Sequence, residues 1–267
     1  MMQVKEGYML IYDNVVWAVK GCYHPEGYAV ALPRLVNGRK IKKMKEGMEI
    51  VRTRYPNLLK YIPEIGLEVP LIPLELSVIL DPYKKVINNE KILEFLRFFN
   101  NVGITGSYLY SNEVGNDIDL ISEDEKNYEI LVELRKKGIT RPINYVLEDE
   151  IEVMNSEDFL RLKKRRVLEG IFKGIPYTFK IVKCVKMGKV IGNKYFEGMI
   201  RIIDPIKPYS LPIIYYTDNN FYLTSFRTRF TELNEGCILR VKGNILIRED
   251  IIEFPLDHAE YVEIIKI

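Results

Sequence analysis

The 267-residue sequence holds a single glutamine (Gln3), a single tryptophan, two histidines and three cysteines, and no apolar run reaches the roughly 20 residues of a membrane-crossing helix. Each shortage excludes something. Cys22, Cys184 and Cys237 are odd in number and far apart, which argues against a disulfide framework. The first residues show no basic stretch followed by an apolar one, so the expectation is a reduced, cytoplasmic protein without a membrane partner. Cys22 and His24 suggest a metal site only if a second pair stands at ligand spacing, and none does. Charge of one sign is also lacking: 39 basic against 37 acidic residues leave a net +2, so any basic surface has to be local. Scarce glutamine beside abundant Ile, Lys, Glu and Tyr points to a thermophile.

What is present is the substance of a globular protein, 47% hydrophobic and 28% charged, long enough for two or three domains or one elaborated core. Residues 1–86 read as β-rich. Short β-branched and aromatic runs at 8–12, 15–19 and 28–32 are separated by turn residues, with Asp13-Asn14 as a hairpin turn. A basic cluster, 39–45, leads into a segment punctuated by Pro56, Pro63, Pro70, Pro73 and Pro82, which predicts loops and edge strands rather than long helices. In residues 87–186, Ile92, Phe95, Leu96 and Phe99 give an amphipathic helix over 89–100. Residues 123–137 give a second, acidic at its start, basic at its end and stopped by Gly138. A third spans 157–172, capped by Asn155 or Ser156, with Lys163-Lys164-Arg165-Arg166 on an exposed face. Residues 187–267 return to strands at 196–203, 213–216, 221–226 and 237–247, the pattern of a small barrel or sandwich.

The stretch 103–120 carries the chemistry. A short apolar strand runs into Gly106-Ser107, and after a gap the sequence Asp117-Ile118-Asp119-Leu120 begins a second strand. Alternate strand residues share a face, so Asp117 and Asp119 stand together about 6.5 Å apart at Cα. Such a pair repels unless one member stays protonated or a hard cation such as Mg²⁺ joins them. Gly106 lets backbone come close to a phosphate, and Ser107 opens a short helix whose hydroxyl and N–H groups suit phosphate oxygens.

Ile104-Thr105-Gly106-Ser107 followed by Asp117-Ile118-Asp119-Leu120 resembles the signature of the polymerase-beta-like nucleotidyltransferase superfamily and is similar to the predicted nucleotidyltransferases of archaea, over about 100 residues. The resemblance implies an α+β fold: a nucleotidyltransferase-like core, a mixed sheet with flanking helices, carrying β-rich N- and C-terminal extensions. It further implies transfer of a nucleoside monophosphate from a nucleoside triphosphate, ATP foremost, to an acceptor such as RNA, with pyrophosphate leaving. Asp117 and Asp119 would be catalytic and bind Mg²⁺ or Mn²⁺; Gly106 and Ser107 would hold the nucleotide. The family's third carboxylate belongs on the strand 174–182, where this chain has Lys180. Three outcomes stay open there: Lys180 contacts phosphates or acceptor, Asp149, Glu150 or Glu152 supplies the acid, or the chain is a catalytically inactive nucleotide- or RNA-binding module. In 225–230, Arg227 and Arg229 alternate with Phe226 and Phe230, a pattern shared by solvated strand faces and by single-stranded nucleic-acid sites.

Overall fold

Three sheets succeed one another along the chain, in a computed structural model that describes residues 4–111 and 117–267; residues 112–116, inside the gap between Ser107 and Asp117, are outside it. The protein is a mixed α and β structure, rich in strands and sparing in helices. No helix among the described residues is long and apolar enough to cross a membrane.

The first sheet starts from a hairpin. Asp13 and Asn14 take φ of 50° and 57°, the left-handed pair of a two-residue turn, and set Tyr12 of β1 (Met9–Tyr12) opposite Val15 of β2 (Val15–Val19). β3 (Tyr28–Val36), β4 (Arg39–Lys40), β5 (Leu59–Ile62), β6 (Leu67–Pro73) and β7 (Val78–Leu80) complete it, in the order β5-β6-β3-β2-β1-β7 with β4 on β3. Between β4 and β5 lies a helix the prolines did not forbid, α1 (Met44–Arg54), because the first of them, Pro56, falls just beyond its end.

The second sheet holds the Gly-Ser and Asp-Ile-Asp stretch. α2 (Glu90–Leu96) is capped by Asn89, whose side chain accepts from the Ile92 amide, and buries Ile92 and Phe95. Then come β8 (Val102–Ile104), α3 (Gly106–Tyr110), β9 (Ile118–Ser122), α4 (Lys126–Lys136), β10 (Thr140–Arg141), α5 (Ser156–Arg165), β11 (Glu169–Phe172) and β12 (Ile175–Ile181). The order is β10-β11-β12-β9-β8, with β9 antiparallel to β8 and parallel to β12. Gly138, at φ +69°, ends α4 as expected.

α5 is shorter than its periodicity predicted. It stops at Arg165, and Glu169–Phe172, the end of the predicted helix, form β11 instead. The reason is tertiary: the Glu232 carboxylate takes the Val167 and Leu168 amides at 3.0 Å, and the Leu168 carbonyl accepts from Phe179. The basic run at its end is only half exposed. Lys163 is buried against Glu150 at 2.7 Å, and Arg166 is buried against Glu169 and the Arg229 carbonyl.

The third sheet comprises β13 (Val190–Lys207), β14 (Ile213–Thr217), β15 (Tyr222–Ser225), β16 (Ile238–Arg248), β17 (Ile252–Pro255) and β18 (Tyr261–Lys266). β13 pairs with β14 at one end and along β16, closing a ring β13-β14-β15-β17-β16 with β18 outside it. Its apolar interior extends to Ile121, Phe159 and Leu162 of the second sheet's layer. Arg227 and Arg229 form no solvated stripe: Arg227 pairs with Glu152 at 2.8 Å, and Arg229 donates to the Glu150 and Glu152 carbonyls while lying over the Phe159 ring. They clamp the ring to the segment before α5.

The expectation of three reduced cysteines is overturned. Cys22, after β2, and Cys184, after β12, are disulfide-bonded with Cα atoms 5.7 Å apart across 162 residues of sequence; Cys237 is unpaired and buried. Distance along the chain carried no information about distance in space.

Candidate functional site

β9 separates two environments. Ile118 and Leu120 point into the core shared with Phe95, Phe99 and Phe179, while Asp119 and Ile121 take the other face. The parallel register sets Thr178 beside Asp119 and Lys180 beside Ile121, so Lys180 lies on the aspartate face. Asp117 directly precedes the strand and is exposed; Asp119 is half-buried.

The Thr105 amide donates to the Asp119 carbonyl at 2.9 Å, carrying the β8–β9 pairing to the start of α3. Gly106 follows at φ +67°, and a Cβ there would lie 1.7 Å from the Asp119 Oδ2. Glycine is therefore required twice, by conformation and by contact. The group it admits is the aspartate carboxylate itself, so the Gly-Ser turn and the Asp-Ile-Asp strand form one unit. Ser107 is half-buried in the first turn of α3.

The electrostatics are those of an unsettled site. Burial, and next the charge of Asp117, push the Asp119 carboxyl up to about 6, against the opposing pull of Lys180 and Arg34. Burial raises the Tyr110 hydroxyl too, with both aspartates adding to it and Arg34 opposing. Lys180 donates to the buried Glu6 at 2.9 Å. Burial by itself would lower the lysine, yet Glu6 and Asp119 hold it above its ordinary value; burial would raise Glu6, yet Lys180 and Lys20 hold it below. Lys20 is pushed down to about 8, first by burial and then by Lys180, Arg34 and Arg227, with Glu6 opposing.

Glu6, Lys20 and Arg34 come from the first sheet and its leading turn, and local sequence carried no sign of them. The turn 5–8 is seated on the second sheet: the Thr105 hydroxyl donates to the Gly7 carbonyl at 2.7 Å, and Gly7, at φ +97°, lies against Ile121. The acids considered as substitutes for position 180 are engaged elsewhere, Asp149 with Lys42, Glu150 with Lys163, and Glu152 with Arg227. Among the described residues no group of three or more His, Cys, Asp and Glu gathers around a metal position. The pair Asp117 and Asp119 nevertheless suits a divalent cation chemically, since a carboxyl raised by burial and then by a neighbouring negative charge is returned to its charged form by one. The Cys22 and His24 pair does not suit a metal: Cys22 is in the disulfide, His24 Nδ1 accepts from the Val30 amide at 3.1 Å, and burial lowers that imidazole to about 4.

No family model matches the chain, nor does any curated protein or solved structure in the comparisons.

Proposed function

We propose that the chain is a metal-dependent nucleotidyltransferase with a nucleotidyltransferase-like core in its second sheet, moving a nucleoside monophosphate from a nucleoside triphosphate, ATP foremost, to an acceptor. The observation that carries this reading is the contact of Gly106 with the Asp119 carboxylate, beside Asp117 and faced by Lys180 and Arg34. The mixed order β12-β9-β8, with helices before and after, supports it further. Asp117 and Asp119 would hold Mg²⁺ or Mn²⁺, which supplies charge neutralisation for the phosphates. Gly106 and Ser107 present backbone to the triphosphate, and Lys180 with Arg34 offers it positive charge. In the reaction the acceptor oxygen bonds to the α-phosphorus, the bond from that phosphorus to the bridging oxygen breaks, pyrophosphate leaves, and the acceptor proton passes to solvent.

A second reading has its own observation. Position 180 is a lysine tied to Glu6 where the superfamily carries a base, which favours a catalytically inactive nucleotide- or RNA-binding module. Calorimetric titration of ATP and the other triphosphates, with and without Mg²⁺, into the native protein and an Asp117→Asn, Asp119→Asn double variant tests the shared premise. Metal-dependent binding lost in the variant supports it, and absence of binding by the native protein sinks both readings. Incorporation of label from α-phosphate-labelled triphosphate into an RNA acceptor then separates transfer from binding alone.

A further inference from the structure

The Cys22–Cys184 disulfide and the Glu6–Lys180 ion pair join the same two segments. Lys180 lies near the end of β12, and Cys184 follows three residues after that strand. On the other side, Gly21 precedes Cys22 directly and is bonded to Glu6 in both directions: the Glu6 amide donates to the Gly21 carbonyl at 2.7 Å, and the Gly21 amide donates to Glu6 Oε2 at 3.0 Å. Glu6 Oε1 then accepts from Lys180 at 2.9 Å. Covalent and ionic links thus close a small ring, from Cys22 through Gly21, Glu6 and Lys180 to Cys184 and back.

The ring has one soft bond. Glu6 is buried, whereas Cys184 is exposed and Cys22 half-buried, so the disulfide is approached from solvent on its Cys184 side. β12 is held to the second sheet by its own pairing with β9, and the Gly7 carbonyl is held by Thr105. The stretch 20–22 follows the end of β2 and leads into a loop; apart from the disulfide it is held by the Lys20 amide on the Val30 carbonyl at 2.9 Å and by the two bonds between Gly21 and Glu6.

We propose that Glu6 is a positioning residue for Lys180 and that the Cys22–Cys184 disulfide is a redox latch on that position. In the oxidised protein Gly21 fixes the Glu6 carboxylate, and Glu6 holds the Lys180 ammonium at the end of the Asp119 face. Two-electron reduction by a dithiol breaks the S–S bond; the reductant gives up two electrons and two protons and closes to its own disulfide, leaving two thiols. The 20–22 stretch then separates from 184, Glu6 loses its fixed orientation, and the Lys180 ammonium becomes mobile. As an effect on nucleotide affinity, the proposal rests on the nucleotide-binding reading; as an effect on Lys180, it does not.

The test uses the full chain in three forms: purified without reductant, treated with a dithiol, and as the Cys22→Ser, Cys184→Ser variant. Alkylation in denaturant should mark one cysteine before reduction and three after; three before reduction overturns the proposal. The rate of Lys180 acylation by an amine reagent, read by mass spectrometry, should rise about tenfold or more on reduction and in the serine variant, with faster amide exchange confined to residues 5–8 and 20–22. Equal acylation in both redox states overturns it. Glu6→Gln should make acylation fast in either state, whereas Glu6→Asp restores the redox difference; a Gln variant that keeps the difference overturns the positioning role. ATP affinity with Mg²⁺ should fall at least about fivefold on reduction. If acylation responds while ATP binds in neither state, the latch stands and the nucleotide reading fails.

Discussion

Two groups of charges in this protein, one fully buried and one at the edge of the interior, behave in opposite ways. In the third sheet, Arg248 pairs with Glu253, Glu253 also accepts from the Thr224 hydroxyl, and Arg248 Nη1 donates to the Glu64 carbonyl at 2.7 Å and the Gly188 carbonyl at 2.9 Å. Every charge there has a matching partner within hydrogen-bond reach, and the group ties the ring to the first sheet. Around Asp119 the opposite holds. Burial and then the charge of Asp117 push one carboxyl up to about 6, and the Lys180 ammonium on the same face bonds to Glu6. A structural cluster closes its own bonds, and the reading proposed above takes the carboxylates around Asp119 as left open for a ligand.

Removing one charge from each group should pull the two further apart. Glu253→Ala leaves a buried guanidinium without its carboxylate and should cost about 3–5 kcal/mol, read as a lowered denaturation midpoint. It should leave ATP affinity unchanged once the variant is folded. Asp119→Asn should do the reverse. A carboxyl raised from 3.8 to about 6 favours the folded state when protonated, so its contribution is full below about pH 4 and is lost as pH rises to about 6. The asparagine variant should therefore match the native protein at pH 4 and exceed it by about 2–3 kcal/mol at pH 8 without metal, while losing nucleotide binding. An Asp119→Asn protein less stable at pH 8 would make this carboxylate structural and erase the contrast.

Gly106→Ala sharpens the comparison at the backbone. The left-handed φ and the approach to Asp119 Oδ2 together should cost about 2 kcal/mol and displace the carboxylate, so Mg²⁺-dependent ATP binding should fall more than stability does. Thr105→Val removes only the hydroxyl bond to the Gly7 carbonyl. It should cost about 1 kcal/mol, with a modest rise in amide exchange at residues 5–8.

The local motif was readable because its reasons are local. Strand alternation put Asp119 and Ile118 on opposite faces, and a glycine before a short helix implied close approach of some group. That the group is a carboxylate rather than a phosphate depends on how β8 and β9 pair. The same limit explains α5: its apolar period ran on past Arg165, but a glutamate more than sixty residues away took the amides that a helix would have used.

From the sequence alone came the Asp13-Asn14 hairpin, the cap before α5 at Asn155 and the Gly138 stop after α4, all set by neighbours within a few residues. Only the tertiary structure decided that Arg34 and Lys180 act on Asp119, that Glu6 and Lys20 gather around Lys180, that Arg227 and Arg229 are a clamp, and that Cys22 meets Cys184. These arise because burial removes water as a competing partner, and each charge or thiol then bonds to whatever the packing of distant strands brings beside it.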